Sequence, residues 1–160
     1  MAFVPPDFAV PMGLETSEFR LRMLTIHDVV KDYEAVMTSR EQLQGVFGPH
    51  SSWPTADLSL EQDLIDLGWH QKEFQNRTSF AYTVMSLDET RCLGCVYLYP
   101  AAPVDYDAQV ILWARQSELV NGLEERLLQT LKPWLSKVWP FEQVAFPGRE
   151  IDWDQWLSLA

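Results

Sequence analysis

The feature that most limits how this chain can fold is a run of three closely spaced β-type segments in its middle. Residues Thr78–Ser86 and Cys92–Tyr99 are rich in Val, Tyr and Phe, Asp107–Ala114 reads as another strand, and the links between the three are short. Short links favour antiparallel neighbours, so the three segments read as a meander that turns first at Leu87-Asp-Glu-Thr90. Next comes an apolar stripe at helical spacing: Leu123, Leu127, Leu131, Trp134, Leu135 and Val138. Pro133 lies inside it and predicts a kink or restart of the helix. A short extended segment, Glu142–Phe146, follows; a helical crossover of this length lets it lie parallel to Asp107–Ala114.

Upstream, Glu18–Leu24 alternates Phe19, Leu21 and Met23 with Arg20 and Arg22, the pattern of a strand with one buried face. Thr25-Ile-His-Asp28 has capping-box spacing and precedes Val29, Val30, Tyr33, Val36 and Met37 at helical intervals. Ser59-Leu-Glu-Gln62 repeats that signal and predicts a second helix with Leu60, Leu64 and Leu67 turned inward. Gly45–Asp57, with its Gly, Pro and Ser residues, reads as a loop. Residues 1–17 carry Pro5, Pro6, Pro11 and Gly13 and read as an irregular arm, leaving 18–160 as one domain. Asp152–Ala160 predicts a last helical turn or two anchored by Trp153 and Trp156. The fold class expected is α+β: a central mixed, mostly antiparallel sheet with helices on both faces.

Charge narrows the partners. Twelve basic against twenty-three acidic residues leave a formal net charge of −11, which repels phosphate backbones and argues against nucleic acid. The start of the chain lacks the basic and apolar runs of a signal peptide, and no apolar stretch is long enough to span a bilayer. A cytoplasmic protein without membrane contact is expected. The two cysteines form Cys92-Leu-Gly-Cys95; three apart on a strand, their thiols should diverge to opposite faces as structural core residues. No metal-ligand spacing and no nucleophile motif is present.

Several stretches resemble one family in wording as well as in order. Leu14-Glu-Thr16, Leu21-Arg22, Leu24-Thr25 and Asp28 are similar to the opening of ribosomal-protein-alanine acetyltransferases, a branch of the GCN5-related N-acetyltransferases (GNAT). Gly94-Cys-Val-Tyr97 resembles that family's third strand, Ala108–Ala114 its fourth, and Trp134–Arg149 its helix end and fifth strand. The resemblance implies a GNAT-like domain that moves an acetyl group from acetyl-CoA to a small-molecule or peptide amine. It places Leu112, Trp113 and Ala114 on the edge that pairs with the pantetheine arm, and Asn121 and Gly122 at the diphosphate turn.

The departures lie in that turn and at the C-terminus. Of the three defining positions of the family's loop, occupied here by Ser117, Val120 and Gly122, only Gly122 is kept. The later region that carries the family's general-acid tyrosine offers only Trp153 and Trp156. Asn121 as N-cap, with Glu124 reaching back, would let the helix satisfy its own donors, and Glu118, Glu124 and Glu125 would repel a diphosphate. Asp107 and His50 are candidate bases by position, and Trp53 a candidate wall of an acceptor pocket. Two readings stay open: an acetyl-CoA-dependent N-acetyltransferase, or a binding module of the same fold that has lost acetyl-CoA. A sheet edge beyond the last strand predicts either a monomer whose terminal helix covers it or a homodimer.

Overall fold

The computed structural model describes residues 2–160. Six strands form one sheet in strict chain order: β1 (Gly13–Glu15), β2 (Phe19–Met23), β3 (Phe80–Ser86), β4 (Cys92–Pro100), β5 (Ala108–Ala114) and β6 (Val144–Ala145). All neighbours are antiparallel except β5 and β6, which are parallel. The predicted meander and crossover are therefore present. The arm differs from its reading as irregular, because Gly13–Glu15 pairs with Arg20–Arg22 as an edge strand. It also enters the core: Val4 is buried, and the Phe3 ring stacks on Phe80 and Phe141.

Helices cover both faces. On one, α4 (Leu123–Val138) lays Leu123, Leu127, Leu131, Trp134 and Leu135 against Tyr82, Val84, Val96, Leu98, Val110 and Leu112. Burying each such leucine contributes about 1.5–3 kcal/mol. The helix does not restart at Pro133; the ring removes one N–H, and the surrounding apolar contacts hold the segment helical. On the other face, α1 (Val29–Thr38) and α2 (Leu60–Gln75) pack Ala35, Val36 and Leu67 against Ala81, Met85, Cys95, Tyr97, Ile111 and Trp113. Two short helices, α3 (Gln116–Leu119) and α5 (Trp153–Ser158), complete the chain.

Both predicted caps hold. The Asp28 carboxylate accepts the Thr25 N–H at 2.9 Å, one turn of 3₁₀ helix ahead of α1, and Ser59 Oγ accepts the Gln62 N–H at 3.0 Å. The inward face of α2 is only partly the one predicted. Leu67 is buried as expected, but Leu60 and Leu64 are exposed, and Asp63 and Phe74 are buried in their place.

The cysteines also depart from expectation. The pairing of β3 and β4 slips between Val84 and Met85, where one extra β4 residue, Leu93, is accommodated. That bulge resets the alternation, so Cys92 and Cys95 lie in the same layer rather than on opposite faces. Both are free and buried, and burial pushes the Cys92 thiol up to about 12.

Candidate functional site

β5 and β6 pair only at Ala108–Val144 and Gln109–Ala145. Beyond Gln109, β5 runs on to Ala114 while the other chain leaves the sheet through Pro147, Gly148 and Arg149. The parting leaves a cavity of about 280 Å³, bordered by Ile111–Trp113, the Gln42–Val46 segment and Trp153. Gly148 is needed for it: its φ of +81° favours glycine, and a Cβ there would sit 2.5 Å from the Trp153 indole nitrogen.

Of the sequence candidates, Leu112 and Trp113 line the β5 side of this cleft, and Ala114 follows them as the last residue of the strand. Two of their backbone groups are already bonded. Arg149 donates to the Leu112 carbonyl at 2.6 Å and to Glu124 at 2.7 Å, while the other oxygen of Glu124 accepts the Ala114 N–H at 3.2 Å. One ion pair thus spans the edge of β5. The side chains of Arg149 and Glu124 are 23% and 25% exposed, so water screens the pair only in part.

The turn after β5 is built differently from its reading. Gly122, with a left-handed φ of +73°, is the N-cap of α4, and no side chain caps that helix. Asn121 instead donates its side-chain amide to Glu118 at 2.7 Å, and its carbonyl accepts from Arg126. Glu124 reaches β5 rather than the cap. The helix therefore does not satisfy its own first donors, contrary to expectation. The cations around the turn have acidic partners: Arg91 with Glu118, Arg126 with Glu18, and Arg115 with Glu34. Hydrogen bonds from Arg91 and then Asn121 hold the Glu118 carboxyl below the usual range, which keeps a negative charge beside the turn.

The remaining candidates separate. Asp107 accepts the N–H groups of Glu142 and Gln143 at 2.7 and 2.8 Å, fixing the approach to β6 at the far end of β5 from Ala114. His50 is exposed in its loop. Trp53 lies in an aromatic wall, 5.2 Å from Phe47 and 6.4 Å from Trp113 between ring centroids.

That wall belongs to a second cavity of about 250 Å³ between α1, α2 and the sheet. It contains residues that apolar periodicity passed over: Asp32 and Asp63 are almost wholly buried, and His70 sits one turn beyond Leu67. Burial, then the neighbouring Asp63 charge and a shared hydrogen bond, hold the Asp32 carboxyl well above the usual range. Burial likewise raises Asp63 and lowers His70. The signal in the sequence was a polar residue at each end of the Asp63–Leu67–His70 stripe, a pattern that hydrophobicity alone discards.

No family model and no curated protein matches the sequence. Solved structures match in fold. A ribosomal-protein-S5-alanine acetyltransferase from Vibrio fischeri superposes with a TM-score of 0.62 at 16% identity, over 79% of this chain and 68% of that one. A ribosomal L7/L12 α-N-protein acetyltransferase in complex with coenzyme A has a TM-score of 0.61 at 17% identity, over 80% and 67% of the chains. A microcin C7 self-immunity acetyltransferase in complex with acetyl-CoA and AMP has a TM-score of 0.53 at 15% identity, over 81% and 70%. This chain spans about two thirds of the length of those structures. Likeness at such identity establishes the fold.

Proposed function

We propose that this protein, which has the fold of the GCN5-related N-acetyltransferases, takes acetyl-CoA in the β5–β6 cleft and passes the acetyl group to an amine. The parting of β5 from β6 after two paired positions carries this reading. It leaves an acceptor, the Leu112 carbonyl, and a donor, the Ala114 N–H, on one strand edge at the spacing an extended amide-containing arm can match. Arg149 and Glu124 hold those groups by side chains alone, so an arm enters by displacing two side chains and no backbone pairing. Bound there, acetyl-CoA supplies an activated thioester. The β5 backbone would orient it and Trp113 would separate it from the aromatic cavity behind.

The diphosphate end fits less well. Gly122 allows close approach and the first N–H groups of α4 lack a side-chain cap, but Glu118, Glu124 and Glu125 bring negative charge to the same turn. That observation favours a second reading, a binding module of this fold that no longer holds acetyl-CoA. We further propose a small-molecule or peptide amine as acceptor and a cytoplasmic setting. The free buried thiols support the setting, and the net charge of −11 supports an acceptor that is cationic rather than a nucleic acid.

Calorimetric titration with acetyl-CoA at physiological salt separates the two readings. A saturable dissociation constant in the micromolar range, lost on a bulky substitution at Gly122, together with acetylation of an amine panel, supports the enzyme. Absence of binding at millimolar acetyl-CoA supports the module.

A further inference from the structure

Trp153 borders the cleft, and the fold holds its indole in place from several sides. Asp152 caps α5 by accepting the Gln155 N–H at 2.8 Å, which sets Trp153 at the first position of that helix. A Cβ built on Gly48 would touch the ring at 3.4 Å, and one on Gly148 would collide with it at 2.5 Å. Two stretches of bare backbone therefore lie against the indole. Three residues on, Trp156 is buried; it donates its indole N–H to the Gln109 side chain at 2.8 Å and meets the Tyr106 ring edge to face at 5.0 Å. These contacts tie α5 to β5 and to the loop before it, so Trp153 is a fixed wall.

A further cavity of about 280 Å³ lies on the other side of that wall. Its lining is mainly apolar, with Phe47, Tyr99, Pro103, Trp156 and Leu157 in it. Ile111 and Trp153 border both this space and the cleft, and so form the partition between them. The direction of the cleft decides what meets the partition. One end lies at Ala114, the last residue of β5 before the turn at Gly122, and the other at Gln109, where β5 pairs with β6. On the acetyl-CoA reading of the cleft, from which this inference proceeds, the diphosphate sits at the turn and the arm runs past Ala114 and Leu112. The thioester then points towards Ile111 and Trp153, with the apolar cavity just behind them. A water molecule takes about 30 Å³, so that cavity has room for far more than a methyl group, and its surface suits a saturated chain rather than a charged one.

We propose that Trp153 sets the acyl-chain length that the cleft accepts: its indole closes the way from the thioester position into the apolar cavity, so an acetyl group fits and a longer chain is turned away. The cavity behind it is then a ready-made site for an aliphatic chain, kept out of use by one side chain. Shortening Trp153 joins the two spaces while Ile111 stays in β5. Burial of two methylene groups is worth about tenfold in affinity, so a chain that enters the opened space should bind measurably more tightly.

The test titrates acetyl-CoA, octanoyl-CoA and succinyl-CoA into the full chain, as wild type, Trp153→Ala and the milder Trp153→Leu, with melting curves to confirm that each variant folds. Wild type should bind acetyl-CoA at least about tenfold more tightly than octanoyl-CoA, a comparison that needs no variant. Trp153→Ala should gain at least about tenfold for octanoyl-CoA, with acetyl-CoA little changed and no gain for succinyl-CoA, whose chain ends in a carboxylate. Trp153→Leu should gain less. Equal wild-type affinity for the acetyl and octanoyl thioesters would overturn the proposal and leave the cleft reading intact. So would the lack of an octanoyl gain in a folded variant that binds acetyl-CoA, or an equal gain for succinyl-CoA, which a merely loosened cleft would show. If none of the proteins binds any of the thioesters at millimolar concentration, the cleft reading itself falls, and this proposal with it.

Discussion

Replacing Arg149 with alanine should make the protein bind acetyl-CoA more tightly while making it less stable. The guanidinium donates to the Leu112 carbonyl at 2.6 Å and to Glu124 at 2.7 Å. A hydrogen bond involving a charged group contributes about 1.5–3 kcal/mol, and an arm that pairs with Leu112 must first break this one. At about 1.4 kcal/mol per factor of ten, the barrier lowers affinity by about 10- to 100-fold. Arg149→Ala removes it, along with one ion pair that is part-screened by solvent. The melting temperature should fall by a few degrees, since about 1 kcal/mol shifts a domain of this length by about 2–4 °C. Titration calorimetry with acetyl-CoA and with coenzyme A, run on wild type and variant at one salt concentration, reads the first effect. A scanning melt reads the second. The reasoning is refuted if Arg149→Ala binds more weakly than wild type, because the arginine would then serve the cofactor rather than occupy its place. It is equally refuted if neither protein binds at millimolar ligand.

Two further outcomes follow from single residues. The folded state holds the Asp32–Asp63 proton that an ordinary carboxylate releases, with Asp28 and Asp66 adding to the effect on Asp32. Stability is therefore fully present at low pH and lost as pH rises from the ordinary carboxylate range through the raised folded values. The stability of Asp63→Asn should fall less than that of wild type as pH rises from the ordinary carboxylate range towards neutrality; an equal pH dependence would contradict the raised carboxyls. Gly94→Ala should cost about 3 kcal/mol or more, because a Cβ there would lie 2.1 Å from the Trp113 carbonyl oxygen, a backbone atom. In a urea titration this loss should exceed that of Gly122→Ala, whose Cβ meets only the Arg126 side chain at 3.4 Å, and equal losses would show that the sheet yields there.

The sheet was legible because period-two alternation and short links fix both strand identity and pairing. Thr78–Ser86, Cys92–Tyr99 and Asp107–Ala114 each fall within a few residues of the observed strands. The cleft was legible only through resemblance: nothing in Leu112-Trp-Ala114 itself says that a neighbouring strand departs. The rest failed for identifiable reasons. The bulge at Leu93 reversed the side of Cys92, and no residue type announces a bulge in an apolar run. The face of helix α2 was only partly read, because beside the expected Leu67 its inward stripe holds the buried Asp63 and the half-buried His70, while Leu60, Leu64 and Trp69 face water. A polar group that is buried for its chemistry reads as a surface residue to any rule built on hydrophobicity. Asp107, a candidate base by its place at a strand end, also accepts the two N–H groups that fix the approach to β6, a role that no residue pattern announces.

The strict chain order of the sheet also bears on how the molecule opens. The β3–β4–β5 meander is made of sequence-local contacts, and its seams are long, whereas β5 and β6 meet across a helical crossover at two positions. Segments joined by few non-local pairs close late in folding and exchange first in the native state. The weakest seam of the sheet is therefore the one beside the proposed cofactor cleft. Residues 144–153 are then expected to detach as a local unit, carrying Arg149 away from Leu112 and Phe146 out of its apolar layer, while the meander stays paired. Amide exchange at Val144 and Ala145 should then report the opening frequency of the cleft long before it reports unfolding, and the same hinge that leaves the strand edge guarded at rest would set the rate at which it becomes free.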